Sequence, residues 1–403
     1  MSETVIVYRK ELLRLSETFI KAQVQSYQRW QAVLFGERLW PGGLSLQDVR
    51  SRTLMDGEPT MTERVWAKAR QTAGFAPRGL MNRFRSVNAK VFHAHFAHDA
   101  ILALPYARKL NLPLVVTLHG HDVNVQPDCY RCGEYGFWHR DYPRRFAALV
   151  QERDVNFIAV SQALKEAAID YGVPETRLRV YYTGIDVRQF QPSPKPIGDR
   201  PRRIVFVGRL VEMKGCALLI KAFAEIKRRL PDVELVILGD GPLRASLEAK
   251  ATETNVGIKF LGEVTHEVVQ SQLHDAWILC LPSITGSCGS FEAFGMVLLE
   301  AQACGVPVVT SSRGGLEGVI HGVTGFTFPE GDVYALTMRI LQILQNRDLA
   351  ERMSHEGPSY VRQNFDILNC TRKIESFYDE ILSVRSRNLK PGLRPVAKRQ
   401  VYR

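Results

Sequence analysis

Residues 290–301, from Ser290 to Ala301, read S-F-E-A-F-G-M-V-L-L-E-A, and the fold follows from how they are read. The apolar run from Trp277 to Leu281, closed by Pro282, has the length of a strand. A loop of small residues follows it. The apolar run from Met296 to Ala303 then reads as a buried helix, ended by Cys304-Gly305-Val306-Pro307. Two carboxylates bracket the turn: Glu292 lies in the loop and Glu300 lies about one turn inside the helix. On one continuous helix, at ~100° per residue, the two would be poorly aligned. Divided between loop and helix, both face one crevice at the end of the preceding strand. Between them the N–H groups of Phe294, Gly295 and Met296 are free at a helix N-terminus, where the dipole favours an anion. An anion flanked by two hydroxyl-binding carboxylates describes a nucleotide-sugar.

Outward from this stretch the chain keeps one rhythm. Strands at 203–207, 233–238, 259–261, 278–281 and 307–310 alternate with helices at 215–230, 243–254, 266–275 and 296–303, the pattern of parallel βαβ units. Upstream, strands are expected at 4–8, 31–35, 91–96, 114–118, 155–160 and 180–182. Helices are expected from 17, over 99–110 and over 162–171, with Ser16 capping the first and Ser161 the last. Residues 38–84 read as a loop-rich basic region with helical pieces, including 63–72. Pro192, Pro194, Pro196, Gly198 and Pro201 mark a linker. Two such halves around a proline hinge place a ligand cleft between them, at the C-terminal ends of the strands. A helix over 334–364, continued to 384, closes the fold.

The totals fit a globular protein: 403 residues, 45% hydrophobic and 24% charged. No stretch approaches the ~20 apolar residues of a membrane span. The opening M-S-E-T-V-I-V-Y-R-K lacks the long apolar core and cleavage site of a signal peptide. The seven cysteines are odd in number and sit mostly in apolar segments, so the expectation is a reduced cytoplasm and no disulfide framework. Net charge is +11. It is concentrated in the tail from Arg385 to Arg403 and in a basic stretch from Arg64 to Lys90 interleaved with Trp66, Phe75, Leu80, Met81 and Phe84. Such patches suit acidic phospholipid heads or lipid-linked phosphates, or are simply a solvated face. Nucleic acid is not expected as a partner, because no binding motif accompanies the charge.

Other residues carry chemistry by type and place. In 208–215, G-R-L-V-E-M-K-G, Arg209 and Lys214 are the only cations, and a helix begins at Gly215. A diphosphate leaving group needs cations, because its charge grows as the glycosidic bond breaks. His119 ends an apolar strand in L-H-G-H-D, and Gly120 lets the backbone approach a ligand. Asp122 is placed to accept a hydrogen bond from an acceptor hydroxyl. His93 and His95 read first as structural and second as lining the acceptor cleft, with His95 the candidate carried forward. Cys129-x-x-Cys132 near His119, His121 and His139 has no second ligand pair of matching spacing, so no metal is expected there. No Asp-x-Asp triplet occurs, and catalysis is expected to need no metal and no cofactor.

E-x(7)-E within F-E-A-F-G-M-V-L-L-E-A-Q-A-C-G-V-P-V-V resembles glycosyltransferase family 4, retaining enzymes of the GT-B fold. G-R-L-V-E-M-K-G, G-D-G-P at 239–242, G-E-V at 262–264 and the segments 311–320 and 321–326 resemble further motifs of that family. The resemblance is dense from Arg203 to Asp332 and thins to islands before it. S-E-T-F-I at 16–20 and H-G-H-D at 119–122 resemble its bacterial exopolysaccharide enzymes.

The resemblance implies an α/β protein of the GT-B class, two Rossmann-like domains with parallel sheets facing a central cleft. The expected division is an acceptor-binding domain over 1–191, a linker over 192–202 and a donor domain over 203–365. A helix over 366–385 should pack back on the first domain, and a basic tail covers 386–403. The resemblance further implies that Arg209 and Lys214 grip the diphosphate and Glu300 binds the ribose hydroxyls. Glu292 then positions the sugar, Val264 lies by the base, and His119 stands beside the reacting centre. Phe294, Gly295 and Met296 complete the donor site. Ser16, Glu17, His95 and Asp122 are the acceptor-side candidates. The function implied is retaining hexosyl transfer from a UDP- or GDP-linked sugar to a saccharide or lipid-linked acceptor. Its setting would be the cytoplasm, peripheral at the inner face of the membrane. The rival readings are a sugar-nucleotide epimerase of the same fold, or a non-catalytic protein that binds polysaccharide or nucleic acid.

Overall fold

The computed structural model describes residues 2–54, 78–311 and 313–389. The expected helix over 63–72, Trp66 and Phe75 of the basic stretch, and the tail from 390 onward lie outside the described residues.

Runs such as V-I-V-Y and I-V-F-V, and L-V-V-T-L with Thr117 its one polar residue, suit strands buried on both faces of a parallel sheet. Two such sheets form. The first has seven strands in the spatial order Ser51–Thr53, Gln31–Gly36, Thr4–Tyr8, Val91–His95, Leu114–Leu118, Val155–Ala159, Leu178–Val180. The second has six, in the order Ile258–Gly262, Glu234–Leu238, Arg203–Val207, Ile278–Leu281, Val308–Thr310, Gly325–Thr327. All their pairings are parallel. In each sheet the order reverses beside the half's first strand. The crevice outside the strand ends at that reversal is where such sheets bind ligands.

The pleat sends Ile6 and Tyr8 into the core that continues into the second half, and Val5 and Val7 to the opposite face. That opposite face is covered by Ile374, Phe377, Tyr378 and Ile381 of the last helix, Ile367–Leu389. The helix is anchored by Glu375. Its side chain is fully buried and accepts the backbone N–H groups of Gln28, Arg29 and Trp30 at 2.9, 2.7 and 2.9 Å. Tyr378 adds a hydroxyl contact to Tyr27 at 2.7 Å and another to His93. The chain passes between the halves at two adjacent points, which bond to each other. Ile185 N–H donates to Phe365 O, and Ile367 N–H donates to Ile185 O, both at 2.9 Å.

Four expectations need correction. The closing helix is three: Val333–Leu344, Arg347–Phe365 and Ile367–Leu389. Asn346 interrupts it because its side chain caps the next helix at Leu349 N–H, and Asp366 is extended. Ser16 caps nothing, because residues Leu15–Glu17 form a 3-10 turn and the α-helix begins at Thr18. The proline-rich segment is packed on the second half: the buried Arg200 donates to the carbonyls of Lys195, Ala276 and Gly305.

The fourth correction concerns the cysteines. Cys129 and Cys288 form a disulfide across 159 residues, joining the insert of the first half to the loop before Glu292. The backbones had already met there, since Gln126 N–H donates to Cys288 O at 2.8 Å and the Asn124 amide donates to Phe291 O at 2.7 Å. Reduction removes a constraint on the unfolded chain. Unfolding in the presence of a phosphine reductant is therefore expected to cost about 2–4 kcal/mol less, read as a lower melting temperature that Cys129→Ser reproduces.

Candidate active site

In the second half the reversal lies between Arg203–Val207 and Ile278–Leu281, so the loops 208–215 and 282–295 meet there. They meet closely because of Gly215. Its φ is +65°, and a Cβ on it would stand 1.8 Å from Pro282 O. Lys214 is thereby held over the second loop, where its ammonium donates to the Glu292 carboxylate. Gly295, at φ 76°, turns the chain into the helix Met296–Ala303, which has the residues expected. No acceptor among the described residues takes the N–H groups of Phe294, Gly295 or Met296, and the helix dipole adds to their pull on an anion. The Phe294 ring turns away and stacks on Tyr182 at 5.3 Å. Glu300 projects from the first turns of the helix, and burial pushes its carboxyl up to about 7.

Lys214, Glu292, Phe294, Gly295, Met296 and Glu300 line one cleft of about 680 Å³. A cleft of this size holds a small-molecule ligand. Its far wall belongs to the first half: His119, Phe96, Phe19 and the exposed Ser16. His119 lies between the rings of Phe96 and Phe19, at 4.7 and 4.9 Å between centroids.

Other candidates stand elsewhere. Glu17 is buried and faces inward, ion-paired to Arg9 at 2.7 Å, while Arg9 also pairs with the buried Asp99. Asp122 is fully buried and accepts Ala97 N–H at 2.6 Å and His119 N–H at 2.7 Å. Burial raises its carboxyl, but the His98 ring and the His119 N–H outweigh that and hold it below the usual range. Asp122 therefore staples two strand ends together and does not meet an acceptor hydroxyl. His95 is fully buried behind His119.

Arg209 is exposed and off the cleft wall. It is near enough to His121 to add to the lowering that burial imposes on that ring. Val264 packs on the core, and His266 and Glu267 take the wall at that end. These two went unread because nothing in their types separates them from an ordinary helix start. A further unread residue is Glu317. It accepts Gln162 N–H at 2.6 Å, Ala163 N–H at 3.2 Å and the Tyr182 hydroxyl at 2.9 Å, so a carboxylate of the second half caps a helix of the first. Cys129, Glu134 and Cys288 come within 4.8 Å of one another, but the two sulfurs are bonded together and Cys132 is exposed.

Comparison with known proteins bears on what this cleft does. Residues 187–360 match the family described as "Glycosyl transferases group 1", and residues 54–189 match "Glycosyltransferase Family 4". The chain is 30% identical over 262 residues to the amylovoran biosynthesis glycosyltransferase AmsK of Erwinia amylovora, an alignment that covers 64% of this chain and 62% of AmsK. The chain thus spans somewhat less than two thirds of that relative's length. It is also 30% identical over 287 residues to the GDP-mannose-dependent alpha-(1-6)-phosphatidylinositol monomannoside mannosyltransferase of Mycolicibacterium smegmatis, covering 67% of this chain and 72% of that one. Among solved structures, Anabaena HepE in complex with UDP superposes with a TM-score of 0.72 at 19% identity, covering 94% of this chain and 100% of HepE.

Proposed function

The chain belongs to the group 1 glycosyl transferases, with their GT-B architecture, and on that footing we propose that it moves a sugar from a UDP- or GDP-linked donor to a saccharide or lipid-linked acceptor with retention at the anomeric carbon. The observation that carries this reading is the convergence of a cation, N–H groups with no acceptor among the described residues and two carboxylates in one cleft at the strand-order reversal. Each matches a part of the donor. The diphosphate takes the N–H groups of Phe294, Gly295 and Met296 and the Lys214 ammonium, with Arg209 reaching in from the rim. When Lys214 turns to the phosphate it releases Glu292, whose carboxylate is then open to the sugar hydroxyls. Glu300 accepts from the ribose hydroxyls, and His266 and Glu267 border the base.

Two cationic side chains meet the charge on the leaving diphosphate, so the reaction draws on no metal. The departing phosphate oxygen takes the acceptor proton on the same face of the sugar, and no separate protein base is required. The likeness to AmsK and the basic charge support a place in exopolysaccharide assembly at the cytoplasmic face of the membrane. Among the described residues no helix is long and apolar enough to cross a membrane, and contact with acidic lipids would be peripheral. Proton NMR of product formed from UDP- and GDP-sugars with a saccharide acceptor tests the chemistry. Retained anomeric configuration is expected, and an inverted product would sink the same-face route.

A pH dependence follows from Glu300. Its carboxyl titrates at about 7 because burial disfavours the charge. Ribose hydroxyls donate best to the ionised form, so binding must remove the proton wherever the free protein still holds it. Affinity for a nucleotide-sugar should therefore fall as pH drops below about 7, by about tenfold at one unit lower. Calorimetric titration at several pH values checks this, and Glu300→Gln should flatten the profile.

A further inference from the structure

We propose that His95, which meets no substrate, is a positioning residue that fixes His119 as the tautomer with its proton on Nδ1, so that His119 offers the cleft an N–H donor and not a base. Three imidazoles stack from the core to the cleft: His93 on His95 at 4.8 Å and His95 on His119 at 5.2 Å between centroids. Both nitrogens of His93 are partnered, Nδ1 with the Tyr378 hydroxyl and Nε2 with Thr117 Oγ1. His95 Nδ1 and His119 Nε2 are 2.9 Å apart, a hydrogen bond that holds one proton. The other nitrogen of His95, Nε2, is buried with no partner among the described residues.

Two arrangements are possible. If His119 donates from Nε2, then the proton of neutral His95 must sit on Nε2, leaving a buried N–H with no acceptor. If His95 donates from Nδ1, its Nε2 is a bare lone pair. A buried orphan N–H is the costlier of the two. The second arrangement wins, and it leaves His119 with Nε2 occupied as an acceptor and its proton on Nδ1. Both rings are neutral near pH 7. Burial lowers His119 to about 4, and burial followed by the neighbouring imidazoles lowers His95 well below its ordinary value. His119 lines the cleft, and its Nδ1–H, which has no partner among the described residues, then suits an oxygen lone pair, as on a sugar hydroxyl. This consequence rests on the transfer reading of the cleft; the tautomer does not.

The test is nitrogen-15 NMR of the full-length protein labelled at histidine, with His119 assigned by the signals lost in His119→Gln. The expected pattern is a protonated Nδ1 and a bare Nε2 on His119 at neutral pH. His95→Phe, which removes the donor, should give a mixture of tautomers and a kcat about 100-fold lower, with KM for the nucleotide-sugar changed little. His95→Gln, whose amide supplies an N–H, should restore the wild-type pattern. A wild-type His119 protonated at Nε2 overturns the proposal outright. An unchanged His119 pattern in His95→Phe overturns the role of His95. The wild-type spectrum decides the tautomer even if a variant fails to fold or no transfer is found.

Discussion

Lys214→Ala is expected to lower kcat for glycosyl transfer by about 10²–10³-fold, the usual loss when one preorganised charge is taken from a developing anion. The ammonium stands on a loop that Gly215 presses against Pro282, so its position over the cleft is set before any ligand arrives. In the resting protein it pairs with Glu292, and both side chains are largely shielded from water. Attraction to a diphosphate is stronger in such a setting than in bulk solvent. The leaving group carries more charge in the transition state than in the bound donor. The loss should therefore fall mainly on kcat, with a smaller rise in KM. Alanine also leaves Glu292 without its cation beside the incoming phosphate, which adds repulsion. Lys214→Arg keeps the charge but spreads it over a larger planar group, and should retain part of the activity. Rates of nucleoside diphosphate release with wild type and both variants measure this. An alanine variant within threefold of wild type would remove Lys214 from the account.

Glu375→Ala is expected to destabilise the first half by about 3–5 kcal/mol. One buried carboxylate satisfies three consecutive N–H groups, of Gln28, Arg29 and Trp30, just before the strand Gln31–Gly36. Removing it orphans all three at once and loosens the helix that covers Val5, Val7 and Val115. Glu375→Gln keeps one carbonyl oxygen and should cost less. Because a two-half protein need not unfold in one step, hydrogen exchange at the amides of residues 28–35 is the appropriate measurement. Protection there should collapse in the alanine variant while the amides of Arg203–Val207 keep theirs. Equal loss in both regions would mean that the helix serves the molecule as a whole.

Much of this arrangement is legible in the residues. Strands buried on both faces must be apolar throughout, so V-I-V-Y and I-V-F-V mark sheet centres without help from context. Helix Met296–Ala303 is bounded by a glycine at each end, and its limits follow. The direction in which a carboxylate points is another matter. Glu17 and Asp122 sit beside the cleft in sequence, yet each turns inward to Arg9 or to backbone N–H groups. Glu292 and Glu300 sit in a like setting and line the cleft. All four are carboxylates; what decides is the set of donors that the fold brings to each, Arg9 to Glu17 and the N–H groups of Ala97 and His119 to Asp122. Proline content marked 192–202 as a linker, and composition could not reveal that Arg200 finds three carbonyls there. The Cys129–Cys288 bond spans the two halves, and no local pattern foretells a pairing at that distance.

The central claim is that the cleft at the start of helix Met296–Ala303 holds the nucleoside diphosphate of the donor. Calorimetric titration of UDP, GDP and ADP into wild type and Glu300→Gln at pH 8, where Glu300 is ionised, tests it most directly. The account predicts that one nucleotide binds more tightly than the other two and that the glutamine variant binds it at least tenfold more weakly, about 1.4 kcal/mol. Binding of any of the three that is equally tight in the variant would place the nucleotide elsewhere and contradict the account.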